Sequence, residues 1–129
     1  MIVTFEYDTQ YNGPSIPVVE MTLTNPVTEK QVTVDGVLVD SGADGTIVSL
    51  EFLKQIQARR VDTVNMRPMR GPMYRVDVYE VELRIGSFRV PKAQVVADPQ
   101  NEGVILGRNV LNQFIVTLNG LPSMVEISQ

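Results

Sequence analysis

Apolar and polar residues alternate with a period of two through most of this chain, and that pattern is the tightest limit on its fold. Ile2 to Tyr7 alternates, and Ile16 to Thr24 (IPVVEMTLT) and Gln31 to Val39 are rich in β-formers. Asn25-Pro26 supplies a turn between the latter two. Asp35-Gly36 breaks the alternation of the third run, which predicts a bulge or tight bend at Gly36. Later runs follow the same logic. VNMRPMRGPMYRVDVYEVEL reads as a hairpin with its tip at Pro68, Gly71 and Pro72, and a phase slip near Tyr79-Glu80 predicts a bulge. Gly86-Ser87 turns into FRVPKAQVV, where Pro91 marks an edge or bulge. Asp98 to Asn101 reads as loop, VILG as a short buried run and NVLNQF as a helical turn. FIVTLN, GLPS and MVEIS then read as strand, turn and strand, with a hairpin as one arrangement.

Helical spacing occurs once at length. In Ser49 to Ala58 (SLEFLKQIQA), Leu50, Leu53 and Ile56 share a face and Phe52 pairs with Ile56. Ser49 is the expected N-cap, Glu51 suits the first turn, and Arg59-Arg60 suit a solvated C-terminal end. The prediction is an all-β fold with one or two short helices. A length of 129 residues is enough for one domain, residues 1–129, with a core that needs no staples.

Composition narrows the chemistry. The chain has no Cys and no His, which removes disulfides, thiolate catalysis, Cys-based zinc sites and any Ser-His-Asp triad. Acid–base work near neutral pH is left to carboxylates, Lys, Tyr or a bound metal. A net charge of −4 argues against nucleic acid as the main partner, although basic residues gather between Arg59 and Arg75. No signal peptide and no membrane-length apolar run is visible, so a soluble, cytoplasmic protein is expected. The initiating Met and the complete strand order favour a stand-alone protein.

VLVDSGADGT (Val37 to Thr46) sets a carboxylate on a Ser-Gly turn directly after an apolar strand. Taken alone, Asp-Ser-Gly is an ordinary turn. A second apolar run enters a Gly-containing turn and a short helix at VILGRN, hinting at an internal pseudo-symmetry. VLVDSGADGT together with VILGRNVLNQFIVTLNG resembles the retroviral-type aspartic proteases (retropepsins), whose hallmarks are an apolar strand into Asp-Thr/Ser-Gly-Ala and a later one into Gly-Arg-Asn/Asp and a short helix. The resemblance spans roughly Val19 to Asn119, with the Pro68 to Met73 hairpin where that family carries its substrate-covering flap.

The resemblance implies a closed β-barrel lobe that forms a symmetric homodimer and hydrolyses peptide bonds without a cofactor. Two carboxyls in close contact share a proton, so one can draw a proton from water while the other polarises the carbonyl. This chain has one Asp in that setting, so the partner is implied to be Asp40 of a second copy. In the implied site Asp40 is catalytic and Ser41, Gly42 and Ala43 support its loop, with Ser41 bonding across the dimer axis or serving only as a turn former. Asp44 and Arg108 are expected to form an ion pair tying the two motifs together. Met69, Arg70, Gly71, Pro72 and Met73 are expected to cover substrate. Met66, Met69 and Met73 also fit a merely exposed tip.

The hairpin tip departs from the viral pattern: it has two prolines and two arginines in MRPMRGPM, where several glycines are usual, implying a stiffer, more basic lid. GLPSMVEISQ also extends past the usual terminal strand. A catalytically weak or inactive peptide-binding or dimerisation module is therefore the alternative function. Metal-dependent hydrolysis by Asp40, Asp44 and a further carboxylate fits poorly without His, so no metal is expected.

Overall fold

A computed structural model describes Met1–Gln129 throughout. Ten strands and two short helices follow in the order β1 (Ile2–Glu6), β2 (Val18–Thr24), β3 (Gln31–Val39), β4 (Thr46–Ser49), α1 (Leu50–Gln55), β5 (Arg59–Met66), β6 (Tyr74–Ile85), β7 (Phe88–Asp98), β8 (Ile105–Leu106), α2 (Arg108–Leu111), β9 (Ile115–Asn119) and β10 (Met124–Ser128). Seven strands run in the order β2-β3-β8-β4-β7-β6-β5, and β2 pairs again with β6. That pairing closes β2, β3, β8, β4, β7 and β6 into a barrel and leaves β5 as an outer edge. The remaining strands form a separate sheet, β1-β10-β9.

The core explains the alternation. Val19, Met21 and Leu23 of β2, Val34 and Val37 of β3, Val81, Leu83 and Ile85 of β6, and Val90 and Val95 of β7 bury into one cluster. Two of the three bulges lie where the alternation or a proline forces one. Val19 pairs with Val37 but Met21 with Val34, so β3 carries the extra residue at Asp35-Gly36, where Gly36 takes a φ of 65° that glycine alone adopts cheaply. Val81 pairs with Ala93 and Leu83 with Val90, which places another extra residue in β7 around Pro91. The slip expected in β6 at Tyr79-Glu80 falls instead on the facing strand, because Arg60 pairs with Tyr79 and Asp62 with Val78, leaving Val61 as the extra residue.

Three local expectations need correction. The helix ends at Gln55, not Ala58, because Gln57 adopts a φ of 52°. The Gln57 N–H then donates to Lys54 O (3.1 Å) and the Ala58 N–H to Leu53 O (2.9 Å), the two bonds of a Schellman stop. Arg59 and Arg60 therefore open a strand instead of closing a helix. Ser49 makes no side-chain cap, since its hydroxyl donates to Gly103 O (3.1 Å); Asn101 Oδ1 accepts from the Glu51 N–H (3.0 Å) in its place. The buried Asn25 does more than turn the chain. Its Nδ2 donates to Ile56 O and Gln57 O, and its Oδ1 accepts from the Val27 and Thr28 amides, so it seals the helix end against the β2–β3 turn. No helix is long and apolar enough to cross a membrane.

Candidate active site

The two sequence motifs meet because β8 inserts between the strands that flank the Asp40 loop. It runs parallel to β3, with Leu38 opposite Ile105 and Val39 opposite Leu106, and bridges β4 at Ile47 on its other side. Backbone bonds carry the ladder up to the loop itself. Leu38 N–H donates to Val104 O (3.1 Å) and Asp40 N–H to Leu106 O (3.1 Å), while Val39 N–H reaches across to Pro17 O (3.0 Å). Asp40 is thus held from both sides at the end of β3, half-buried.

Its turn is equally determined. Ala43 N–H donates to Asp40 O (3.2 Å), and Gly42 N–H donates to the Asp40 carboxylate at Oδ1 (2.9 Å), which orients the side chain. A Cβ at Gly42 would come to 3.0 Å from that oxygen, so glycine there lets the amide approach. Ser41 and Asp44 are exposed and Ala43 half-buried, so one face of the loop is open.

The second motif grips the loop from behind. Arg108 N–H donates to Ala43 O (2.9 Å) and Asn109 N–H to Asp44 O (3.3 Å). A Cβ on Gly107 would overlap the Gly45 carbonyl oxygen and lie 3.1 Å from Ala43 O, so the two backbones touch where only glycine fits. The expected ion pair between Asp44 and Arg108 is absent: the ion pairs are Arg60–Asp77, Arg84–Glu82 and Arg89–Glu82. Arg108 Nη1 donates instead to Ser41 O (2.8 Å). A backbone carbonyl on the loop lies within reach, whereas the exposed Asp44 keeps its hydration, and an exposed ion pair offers little to offset that loss.

Sequence reasoning missed the polar latch behind this contact. Thr46 is fully buried; its Oγ1 accepts from the Gly107 N–H (3.1 Å) and donates to Asn109 Oδ1 (2.8 Å). Asn109 Nδ2 continues to Gln94 O (2.9 Å) on β7. Hydrogen-bonding residues placed just after both Gly-containing turns were the available signal.

Strands β5 and β6 extend as the predicted hairpin. A cavity of about 860 Å³ lies beneath it, walled by Met66, Pro68, Arg70, Pro72 and Tyr74 of the hairpin and floored by Leu38, Ile47 and Ile105. Its volume falls in the range of ligand sites. Asp40 itself is not in its wall, but Leu38 and Ile105, the pair on which its strand rests, are. Of the predicted covering residues, Arg70 and Pro72 line the cavity, whereas Met69, Gly71 and Met73 are exposed and form no part of its lining. Asp40 and Asp44 are joined by no third His, Asp or Glu that would make a metal cluster.

This geometry has counterparts. A sequence profile described as "gag-polyprotein putative aspartyl protease" matches residues 28–113, two thirds of the chain. A retropepsin-like aspartic protease from Rickettsia conorii superposes with a TM-score of 0.64 at 11% identity, over 98% of this chain and 91% of its own. The simian foamy virus (mac) protease gives a TM-score of 0.52 at 22% identity, over 74% of this chain and 91% of its own. No curated protein sequence matches. With the profile spanning both motifs and the hairpin between them, the chain belongs to the gag-polyprotein aspartyl protease family and carries a retropepsin-like fold.

Proposed function

We propose that two copies of this chain form an aspartic endopeptidase in which Asp40 and the Asp40 of a second copy act on an extended polypeptide. The observation that carries the reading is the half-buried Asp40 carboxylate, fixed by the Gly42 amide on the open face of a loop held from behind by the second motif. A lone carboxylate so oriented has no acid–base partner within its own chain; a two-fold axis past the loop supplies one. In the dyad one carboxylate takes a proton from water as the water oxygen attacks the scissile carbonyl carbon. The other, protonated, donates to the carbonyl oxygen. The tetrahedral species then collapses as a proton passes to the leaving amine, and the shared proton is restored.

Substrate lies between the loop and the hairpin as an added strand, held by backbone hydrogen bonds, with side chains in the cavity under Arg70 and Pro72. Ser41 and Ala43 shape the loop, and residues 69–73 act as the cover. The whole chain, residues 1–129, serves as one catalytic unit.

The test is Asp40→Asn, assayed on a diverse peptide mixture from acidic to neutral pH with and without a pepstatin-type inhibitor. Cleavage should fall by about 10²- to 10⁴-fold, the usual worth of acid–base catalysis, while the oligomeric state is retained. Undiminished cleavage would sink the dyad. Peptide binding by the unsubstituted dimer without inhibitor-sensitive cleavage would instead favour a binding module on this fold.

A further inference from the structure

Three charged residues stand in the wall of the cavity: Arg70 on the hairpin tip, and Asp98 and Glu102 where β7 leads towards β8. Asp98 is already engaged within the chain. Its Oδ1 accepts from the Gln100 N–H (2.9 Å) and its Oδ2 from the Glu102 N–H (2.9 Å). Arg70 and Glu102 are both exposed, and neither belongs to any of the three ion pairs. A side chain entering the cavity therefore meets one free cation and one free carboxylate, and what it selects depends on which of them is better held.

The loop under Glu102 is braced on both sides. Asp98 O accepts from the Asn101 N–H (3.3 Å), Asn101 Oδ1 from the Glu51 N–H (3.0 Å), and Gly103 O from the Ser49 hydroxyl (3.1 Å). Residues before and after Glu102 are thus tied to the start of α1, and the backbone presents its carboxylate at a fixed place. Arg70 has no such support, and its neighbour Gly71 has open space around it. A fixed charge discriminates between ligands, because little ordering is left to do on binding; a charge free to turn to water discriminates less. The floor suits a long stem with a cationic end, since Leu38, Ile47, Val76 and Ile105 are all apolar. Gly36 of the cavity also borders a second groove, lined by Glu6, Asp8, Glu20 and Asp35 and by no Lys or Arg.

We infer that the cavity selects polypeptides with a lysine or arginine at one fixed position near the scissile bond, and that Glu102 determines this preference. The inference rests on the reading of the cavity as the place of substrate side chains. The stem of the selected residue lies along the apolar floor, and its cationic end donates to the Glu102 carboxylate. An acidic side chain in the same place meets that carboxylate as a like charge. An apolar one leaves it without a partner.

The test takes a parent peptide, chosen from a diverse mixture by cleavage or, failing cleavage, by binding. Lysine, leucine or glutamate is placed in turn at each of its positions, and the set is assayed at neutral pH. At one position the unsubstituted chain should cleave the lysine peptide with a kcat/KM about 10-fold above the leucine one, as a hydrogen bond to a charged group allows. In Glu102→Gln that lysine-to-leucine ratio should fall by about 10-fold. In Glu102→Lys the glutamate peptide should overtake the lysine one. Arg70→Gln should move the ratio by less than ~3-fold, as befits an exposed charge. A cleaving chain with no lysine preference at any position overturns the inference and leaves the dyad standing. So does a ratio that Glu102→Gln does not move, or that Arg70→Gln moves further. If no peptide is cleaved, the dyad falls, and fluorescence anisotropy of the same peptides decides the inference by itself. Tighter binding of a lysine peptide, lost in Glu102→Gln, upholds it; equal binding of the three overturns it.

Discussion

A side chain added at Gly107, behind the Asp40 loop, would strike the Gly45 carbonyl oxygen; one added at Gly71, in the hairpin tip, would meet nothing within 4 Å. Gly107 has an ordinary backbone, with φ −97°, and is glycine for want of space. Gly71 has space on every side and is glycine for its φ of 96°. The contrast extends to the surroundings. The backbone of the Asp40 loop is bonded to the second motif and braced by the Thr46–Asn109 latch, whereas the tip exposes Met69, Arg70 and Met73. In the proposed enzyme, the carboxylate that must be held in place sits where two backbones touch, and the cover that must admit a polypeptide sits where little holds it.

Gly107→Ala is the harshest way to test the tight half. The added methyl must push two backbone segments apart, an overpacking cost of about 3 kcal/mol or more, and Tm should fall by roughly 10 °C at this chain length. An unchanged melting curve would show that the two motifs do not touch as described. Thr46→Val keeps the volume but strands the buried Gly107 amide and Asn109 Oδ1. It should cost about 1–3 kcal/mol in urea unfolding, and a loss below ~0.5 kcal/mol would mean the latch is idle.

Arg108→Met removes one donor from an exposed contact, so stability should drop by no more than about 1 kcal/mol. Peptide cleavage should drop further, because Ser41 O loses the group that steadies the loop. Asp44→Asn discriminates between partners. With no ion pair to lose, its stability should lie within ~0.5 kcal/mol of the parent, and a loss equal to that of Arg108→Met would restore the carboxylate as the arginine's partner.

The same division governs what could be read from sequence. Phase breaks at Asp35-Gly36 and the proline at 91 announced their bulges, because a period of two leaves no freedom over which face a residue takes. β4 went unseen: four residues, three of them buried, are too short for alternation and lie between two stronger signals. The stop after α1 hid because a glutamine, not a glycine, occupies the left-handed position. At the site, Asp40 and its small neighbours were legible as a motif. The latch was not, since a buried Thr and an Asn become a pair only when residues 63 positions apart are brought together. The Asp44–Arg108 pair failed for the converse reason. Opposite charges in two motifs fix attraction but not reach, and the nearer acceptor was a backbone carbonyl.

The smallest expected effect on global stability belongs to the loose half. Gly71→Ala places a Cβ on a residue at φ 96°, a local strain of about 1–2 kcal/mol. That strain can be relieved by reshaping the tip alone, because no neighbour is within reach and the flanking Met69 is fully exposed. Global Tm should therefore stay within about 2 °C of the parent. The change should appear instead in amide hydrogen exchange confined to residues 67–73, which report local opening separately from global unfolding, and, on the proposed role of the tip as a cover, in a raised KM for peptide. A Tm loss comparable to that of Gly107→Ala would mean that the hairpin tip is as integral to the barrel as the Asp40 loop, and the contrast between the two glycines would collapse.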